Sequence, residues 1–241
     1  MDLADAVRSR RPRTGDRDVS NNIHRLRPPR LANEGVNGAL DPAERAAVIG
    51  AASLKLEELF DVLQIDHRND RNTRDTPRRV AKMLVEEIMA GRYCEPPELT
   101  AFENASAFDH LIVTPPIDVR STCAHHLMPI HGHAFVGVLP APDGKIVGLS
   151  KYDRVVHHFA SRLQIQEELV KQIGDFLMEK TSPRGLAVRI SAAHMCRTQR
   201  GVRAGGLGRM ITTAYWGEFG EDAAAKAEFL QECINLERRI G

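Results

Sequence analysis

An α+β fold, with an antiparallel sheet, helices laid on one face and a helical region ahead of it, is what the chain's patterning predicts. Three observations carry this. Two capped helix starts stand early, the middle of the chain changes to short β-rich runs, and helical spacing returns after them and again at the end. With 241 residues there is room for one substantial core and an added arm. Hydrophobic content of 42% and charged content of 27% are those of an ordinary soluble globular protein.

Residues 1–40 read as a mobile basic arm. Arg8, Arg10, Arg11, Arg13 and Arg17 are interleaved with polar residues and lack apolar periodicity. A helical region, 41–95, begins at Asp41-Pro42-Ala43-Glu44, where a cap, a first-turn proline and an acid form a strong helix start. Val48, Leu56, Leu59, Phe60 and Leu63 continue it. A second helix opens at Thr76-Pro77 and runs through Val80, Leu84 and Ile88 to a stop at Gly91. The third region, 96–241, holds the sheet. Leu111–Val113, Ile117–Val119, Ala134–Leu139 and Ile146-Val147 are short and β-rich, with a turn at Pro142-Asp143-Gly144. From Ser150 to about Lys180 the spacing is helical, broken near Arg162. Leu186–Ser191 alternates like a half-buried strand, Met210–Trp216 is a further strand, and Glu221–Arg239 is a helix with acids early and arginines late.

A formal net charge of +1 argues against nucleic acid or a membrane surface as partner. No apolar run approaches the roughly 18 residues that span a bilayer, and the N-terminus lacks a signal core. A cytoplasmic location is expected, with Cys94, Cys123, Cys196 and Cys233 reduced. Cys94 and Cys233 read as buried, apolar-like side chains, and His157 and His158 as packing or surface residues.

Chemistry concentrates in three stretches. Cys123-Ala124-His125-His126 is answered about seventy residues later by His194-Met195-Cys196. Cys-x-x-His fits one tight turn, and a distant Cys closes a three-ligand metal site whose fourth corner is left for water. His125 and His194 are placed to move that water's protons. Ordinary buried thiols are the bland alternative, and His131 and His133, which would share a strand face, are rival ligands. In Gly148-Leu149-Ser150-Lys151-Tyr152-Asp153-Arg154, a helix capped by Ser150 would place Lys151 and Arg154 at its positive end, where cations disfavour the helix unless an anion such as polyphosphate binds. Gln164-Ile165-Gln166-Glu167-Glu168 sets a carboxylate near a helix break, and a carboxylate can accept two parallel hydrogen bonds from a guanine edge. Arg200 would bring a permanent cation near the metal.

Together with Thr76-Pro77-Arg78-Arg79-Val80-Ala81-Lys82-Met83 and Arg200-Gly201-Val202, these runs stand in the order and spacing of GTP cyclohydrolase I, and the chain resembles that family from about residue 41 to 219. The resemblance implies the tunnelling fold and zinc on Cys123, His126 and Cys196. It implies proton transfer by His125 and His194, with Glu167 and Gln166 at the guanine. Ser150, Lys151, Arg154 and Arg200 would surround the ribose and triphosphate of GTP, and Arg79 would reach in from a neighbouring subunit of a homodecamer whose sites lie at subunit interfaces. The implied reaction opens the imidazole ring of GTP at C8, releases formate, and recloses to 7,8-dihydroneopterin triphosphate.

The chain departs from the family at two places. Ala124 replaces the Glu of the usual Cys-Glu-His-His, removing a charge beside the zinc turn, and Gly205–Arg209 replaces a Ser/Thr-rich stretch. A variant that stops at a ring-opened intermediate and a non-catalytic GTP-binding paralogue are therefore alternatives. The intact set of ligands and proton carriers argues against the paralogue. A relative reducing a nitrile with NADPH would need a lone activated thiolate, and no dinucleotide fingerprint is present.

Overall fold

A computed structural model describes residues 30–205 and 208–240, and the arginine-rich stretch 8–17 of the expected arm lies outside them. The described residues form two compact units, 30–31 with 35–87, and 32–34 with 88–205 and 208–240.

In the first unit, α1 (Pro42–Val62) starts as its sequence dictates. The Glu44 amide donates to Asp41 Oδ1 at 2.8 Å, and the Asp41 amide donates to Glu44 Oε2 at 2.9 Å, a reciprocal capping box. The loop after α1 is tied back by Arg68, which grips Asp61 with two bonds of 2.5 and 2.8 Å. His67 is buried edge-on to Phe60. α2 (Thr76–Met83) packs against α1. Asp75, not Thr76, occupies its cap position and makes no side-chain cap bond.

One continuous helix to Gly91 was expected; instead α2 passes into a π-turn at Leu84–Ile88 and then a short α3 (Ala90–Tyr93). Gly91 belongs to the second unit and is required by close approach. Its amide donates to Ser161 O at 2.9 Å, and a Cβ there would collide with the His158 carbonyl.

The second unit is built on β2 (Ile112–Val113), β3 (Ile117–Cys123), β4 (Pro129–Leu139), β6 (Leu163–Gln164), β7 (Gly185–His194) and β8 (Met210–Gly217), with a separate pair of β1 (Ala101–Glu103) and β5 (Lys145–Val147). The main order is β6-β3-β4-β7-β8, and β2 also pairs with β4. Two features differ from the expected antiparallel sheet with helices on one face. First, the sheet is mixed: β6 pairs parallel to β3, matching Thr122 with Leu163 and Cys123 with Gln164. Second, helices cover both faces. Ala134, Val136 and Val138 of β4 and Leu186, Val188, Ile190 and Ala192 of β7 form a core with Val155, Val156 and Phe159 of α4 (Leu149–Ala160) and Leu169, Ile173 and Leu177 of α5 (Gln166–Thr181). The intervening Phe135, Leu139 and Ala187 face the other way, onto Phe229 and Cys233 of the C-terminal helix α7 (Ala223–Ile240). That helix sits so close that a Cβ on Gly137 would lie 2.6 Å from the Phe229 ring.

The break between α4 and α5 is filled by Arg162, only 6% exposed. Its Nε donates to Gly91 O at 3.0 Å, Nη1 to Asn33 O at 3.0 Å and Nη2 to His158 Nε2 at 2.6 Å. Burial and the Arg162 charge push the His158 imidazole down to about 4. Cys233 is buried as expected, its thiol raised to about 12 by burial, whereas Cys94 is exposed, 3.7 Å from His158 Nδ1.

Candidate metal centre and substrate site

β3 ends at Cys123, which is 4% exposed. The chain then turns back at once: the Leu127 amide donates to Cys123 O at 2.9 Å and the Cys123 amide to Met128 O at 2.8 Å, with Leu127 at φ 53°. The Ala124 amide donates to Gln164 O at 3.0 Å, fixing this turn against β6. Across the sheet Ile130 stands opposite His194, the last residue of β7, so the short α6 (Met195–Thr198) brings Cys196 beside the turn.

The donor atoms of Cys123, His126 and Cys196 all lie within 4.8 Å of one another, and among the described residues no other group of three or more His, Cys, Asp or Glu donors comes together like this. His131 and His133 are outside it. They lie on β4, where His133 receives a 3.3 Å bond from Arg209 and is 3.7 Å from Asp118. Burial, reinforced by Arg209, lowers the His133 imidazole. Cys196 is raised by burial, then by its hydrogen bond to Cys123 and the Cys123 charge, with Arg200 opposing. Two neighbouring thiols resist ionising together, and a divalent cation between them removes that penalty because it binds thiolates. Two sulfurs and an imidazole are also a fitting soft donor set for zinc.

The proton-carrying candidates adjoin this group. His125 Nδ1 lies 3.8 Å from Cys123 Sγ, and the rings of His125 and His126 stand edge to face at 6.3 Å. His194 Nε2 meets Gln166 Oε1 at 2.8 Å; burial lowers its imidazole while Glu167 opposes the shift. Arg200 Nη1 donates to His126 Nε2 at 2.9 Å. Glu167 is exposed in the first turn of α5, but Gln166 beside it is 1% exposed.

Ser150, Lys151 and Arg154 lie in the first two turns of α4. Gly148 takes the cap position with no side-chain cap bond, so Ser150 is inside the helix and its hydroxyl is not spent on capping. No hydrogen bond or ion pair joins these three to the cysteine group among the described residues. Arg79 belongs to the first unit, where it is exposed and 3.5 Å from Asp75. The His158–Arg162 pair was missed by the sequence reading; its i, i+4 spacing was the available signal.

The family model for GTP cyclohydrolase I matches residues 53–234. The chain belongs to the GTP cyclohydrolase I family. It is an enzyme of that type. It is 44% identical over 157 residues to GTP cyclohydrolase 1 of Mycolicibacterium vanbaalenii, covering 65% of this chain and 77% of the relative. To that of Mycobacterium ulcerans it is 42% identical over 170 residues, covering 70% and 83%. To that of Carboxydothermus hydrogenoformans it is 44% identical over 155 residues, covering 64% and 79%. Among solved structures, the apo archaeosine synthase QueF-Like aligns over 51% of this chain and 97% of its own at 12% identity and a TM-score of 0.32, too low to bear on fold or function. Ala124 lies in the turn that follows Cys123. The residue holds its turn through its backbone amide, a bond that any side chain except proline leaves intact.

Proposed function

We propose that this chain hydrolyses GTP at C8 of the guanine ring, releasing formate and reclosing the ribose carbons onto the freed amines to give 7,8-dihydroneopterin triphosphate. The observation that carries the proposal is the convergence of Cys123, His126 and Cys196 within 4.8 Å, in a chain of this family. Zinc held by these residues would supply Lewis acidity and a water acidified towards neutrality. His125 and His194 hold and deliver protons, one of them to the departing ring nitrogen. The exposed Glu167 carboxylate accepts from guanine N1–H and the exocyclic amine; Gln166 is not given this role because its amide is already engaged. Ser150 and Lys151, in the first turn of α4 at its positive end, bind phosphate oxygens together with Arg154 and Arg200. Arg79 comes from a neighbouring subunit of a homodecamer, so that cations from separate segments meet only on assembly. Among the described residues no helix is long and apolar enough to cross a membrane; the enzyme would work in the cytoplasm.

Metal-replete protein incubated with GTP should yield formate and dihydroneopterin triphosphate in equal amounts, identified by mass. Activity that survives complete chelation would sink the zinc role. A second reading, arrest at a ring-opened intermediate, is favoured by the missing carboxylate at Ala124. Consumption of GTP without neopterin fluorescence would support it, and Ala124→Glu should then restore the fluorescent product.

A further inference from the structure

Gln166 is the first residue of α5, yet its side chain turns into the protein and is 1% exposed. Its Nε2 lies 3.2 Å from Ile190 O, 3.1 Å from Met210 O and 3.1 Å from Thr212 Oγ1. Two of these partners are carbonyls, which only accept, so the nitrogen of the amide must face them. A flipped amide would set oxygen against oxygen twice. The orientation is thus decided by strands β7 and β8, and Oε1 is left pointing at His194 Nε2, 2.8 Å away.

That contact determines where His194 carries its hydrogen. An amide oxygen accepts and cannot donate, so Nε2 of His194 must be the protonated nitrogen. In the neutral ring the lone pair then falls on Nδ1, the one nitrogen free to take or give a proton.

We propose that Gln166 is a positioning residue that holds His194 in the Nε2–H tautomer, making Nδ1 the atom that exchanges protons with the nucleotide. The catalytic part rests on the cyclohydrolase reading above; the tautomer does not. Gln166 acts through His194, not on guanine, and it couples the start of α5 to the end of β7. An imidazole without this partner would divide between two tautomers and two ring orientations, and only one combination offers the right nitrogen.

The test uses full-length, zinc-loaded protein labelled with nitrogen-15 in histidine, above the imidazole titration range. The His194 signal is assigned by its loss in His194→Gln. Wild type should show a protonated Nε2 and a bare Nδ1, and Gln166→Met should lose that signature. Turnover of GTP by Gln166→Met should fall by about 10–100-fold in kcat, with KM held within about twofold. In the His194→Gln background the same change should cost less than about twofold, because its route is gone. A protonated Nδ1 in wild type overturns the proposal, as does a raised KM at unchanged kcat, or an equal kcat loss in both backgrounds. The wild-type tautomer decides the matter even if Gln166→Met does not fold. A wild type without turnover would overturn the cyclohydrolase reading and leave the tautomer measurement standing.

Discussion

Two clusters in the second unit use the same three residue types and do different things. Around His158, an arginine donates to Nε2 and a cysteine sulfur lies 3.7 Å from Nδ1. Around the Cys123 turn, Arg200 donates to His126 Nε2 and Cys123 Sγ lies 3.8 Å from His125 Nδ1. The first is scaffold: Arg162 is buried and its other nitrogens are committed to Gly91 O and Asn33 O. At the second, Arg200, His125 and His126 are exposed and a second sulfur joins the group. Residue identity alone therefore does not separate structure from chemistry. Convergence of several donors at a surface does.

The largest expected effect lies at the exposed cluster. Cys196→Ala should abolish stoichiometric zinc and lower GTP turnover by more than the roughly 100-fold that loss of an outer partner costs. Metal analysis beside a formate assay reads both, and full activity in a metal-free variant would break the contrast. At the buried cluster Arg162→Ala should remove the donor to Gly91 O and His158 and leave Asn33 O with Gln172 alone, costing about 3 kcal/mol of stability. Urea unfolding measures it; a midpoint within error of wild type would mean that Arg162 is not scaffold.

Arg200→Ala should spare stability and lower kcat/KM for GTP by about 10-fold, as expected for an exposed cation that binds charge without supporting the fold. A large loss of thermal stability would contradict this.

A further effect is in pH. The His158 imidazole is depressed from 6.5 to about 4 when folded, so between those values the unfolded chain binds the extra proton. Stability is therefore full above about pH 6.5, declines as the pH falls towards 4, and the decline should be shallower in His158→Gln. An identical slope in that variant would remove His158 from the account.

Much of this was legible in the sequence, for reasons that differ by element. Asp41 and Glu44 announce α1 because a capping box is local chemistry, and the Cys123 and Cys196 runs stand out because few residue types ligate metal. The two covered faces were less plain, although the unbroken apolar run Ala134–Leu139 carried the signal: a strand buried on both sides has no polar alternation. Leu186–Ser191, expected to be half-buried, is buried on both faces for the same reason. The parallel β6 was hidden because two residues between helices show no period. Ser150 passed for a cap because Ser is a good one, yet Gly148 holds that position. The partners of Gln166 come from β7 and β8, separated from it by 24 and 44 to 46 residues, and no local pattern reports a contact of that reach.

The register that sets Ile130 across from His194 has a further consequence. Cys123 and Cys196 reach each other only when β3, β4 and β7 are zipped in the right alignment, since a slip by one position turns alternate side chains to the opposite surface. Any ion gripped by both sulfurs therefore acts as a rivet across strands that lie far apart along the polypeptide. Occupancy then rewards the correctly threaded sheet by mass action, and a chain paired out of step forfeits that reward.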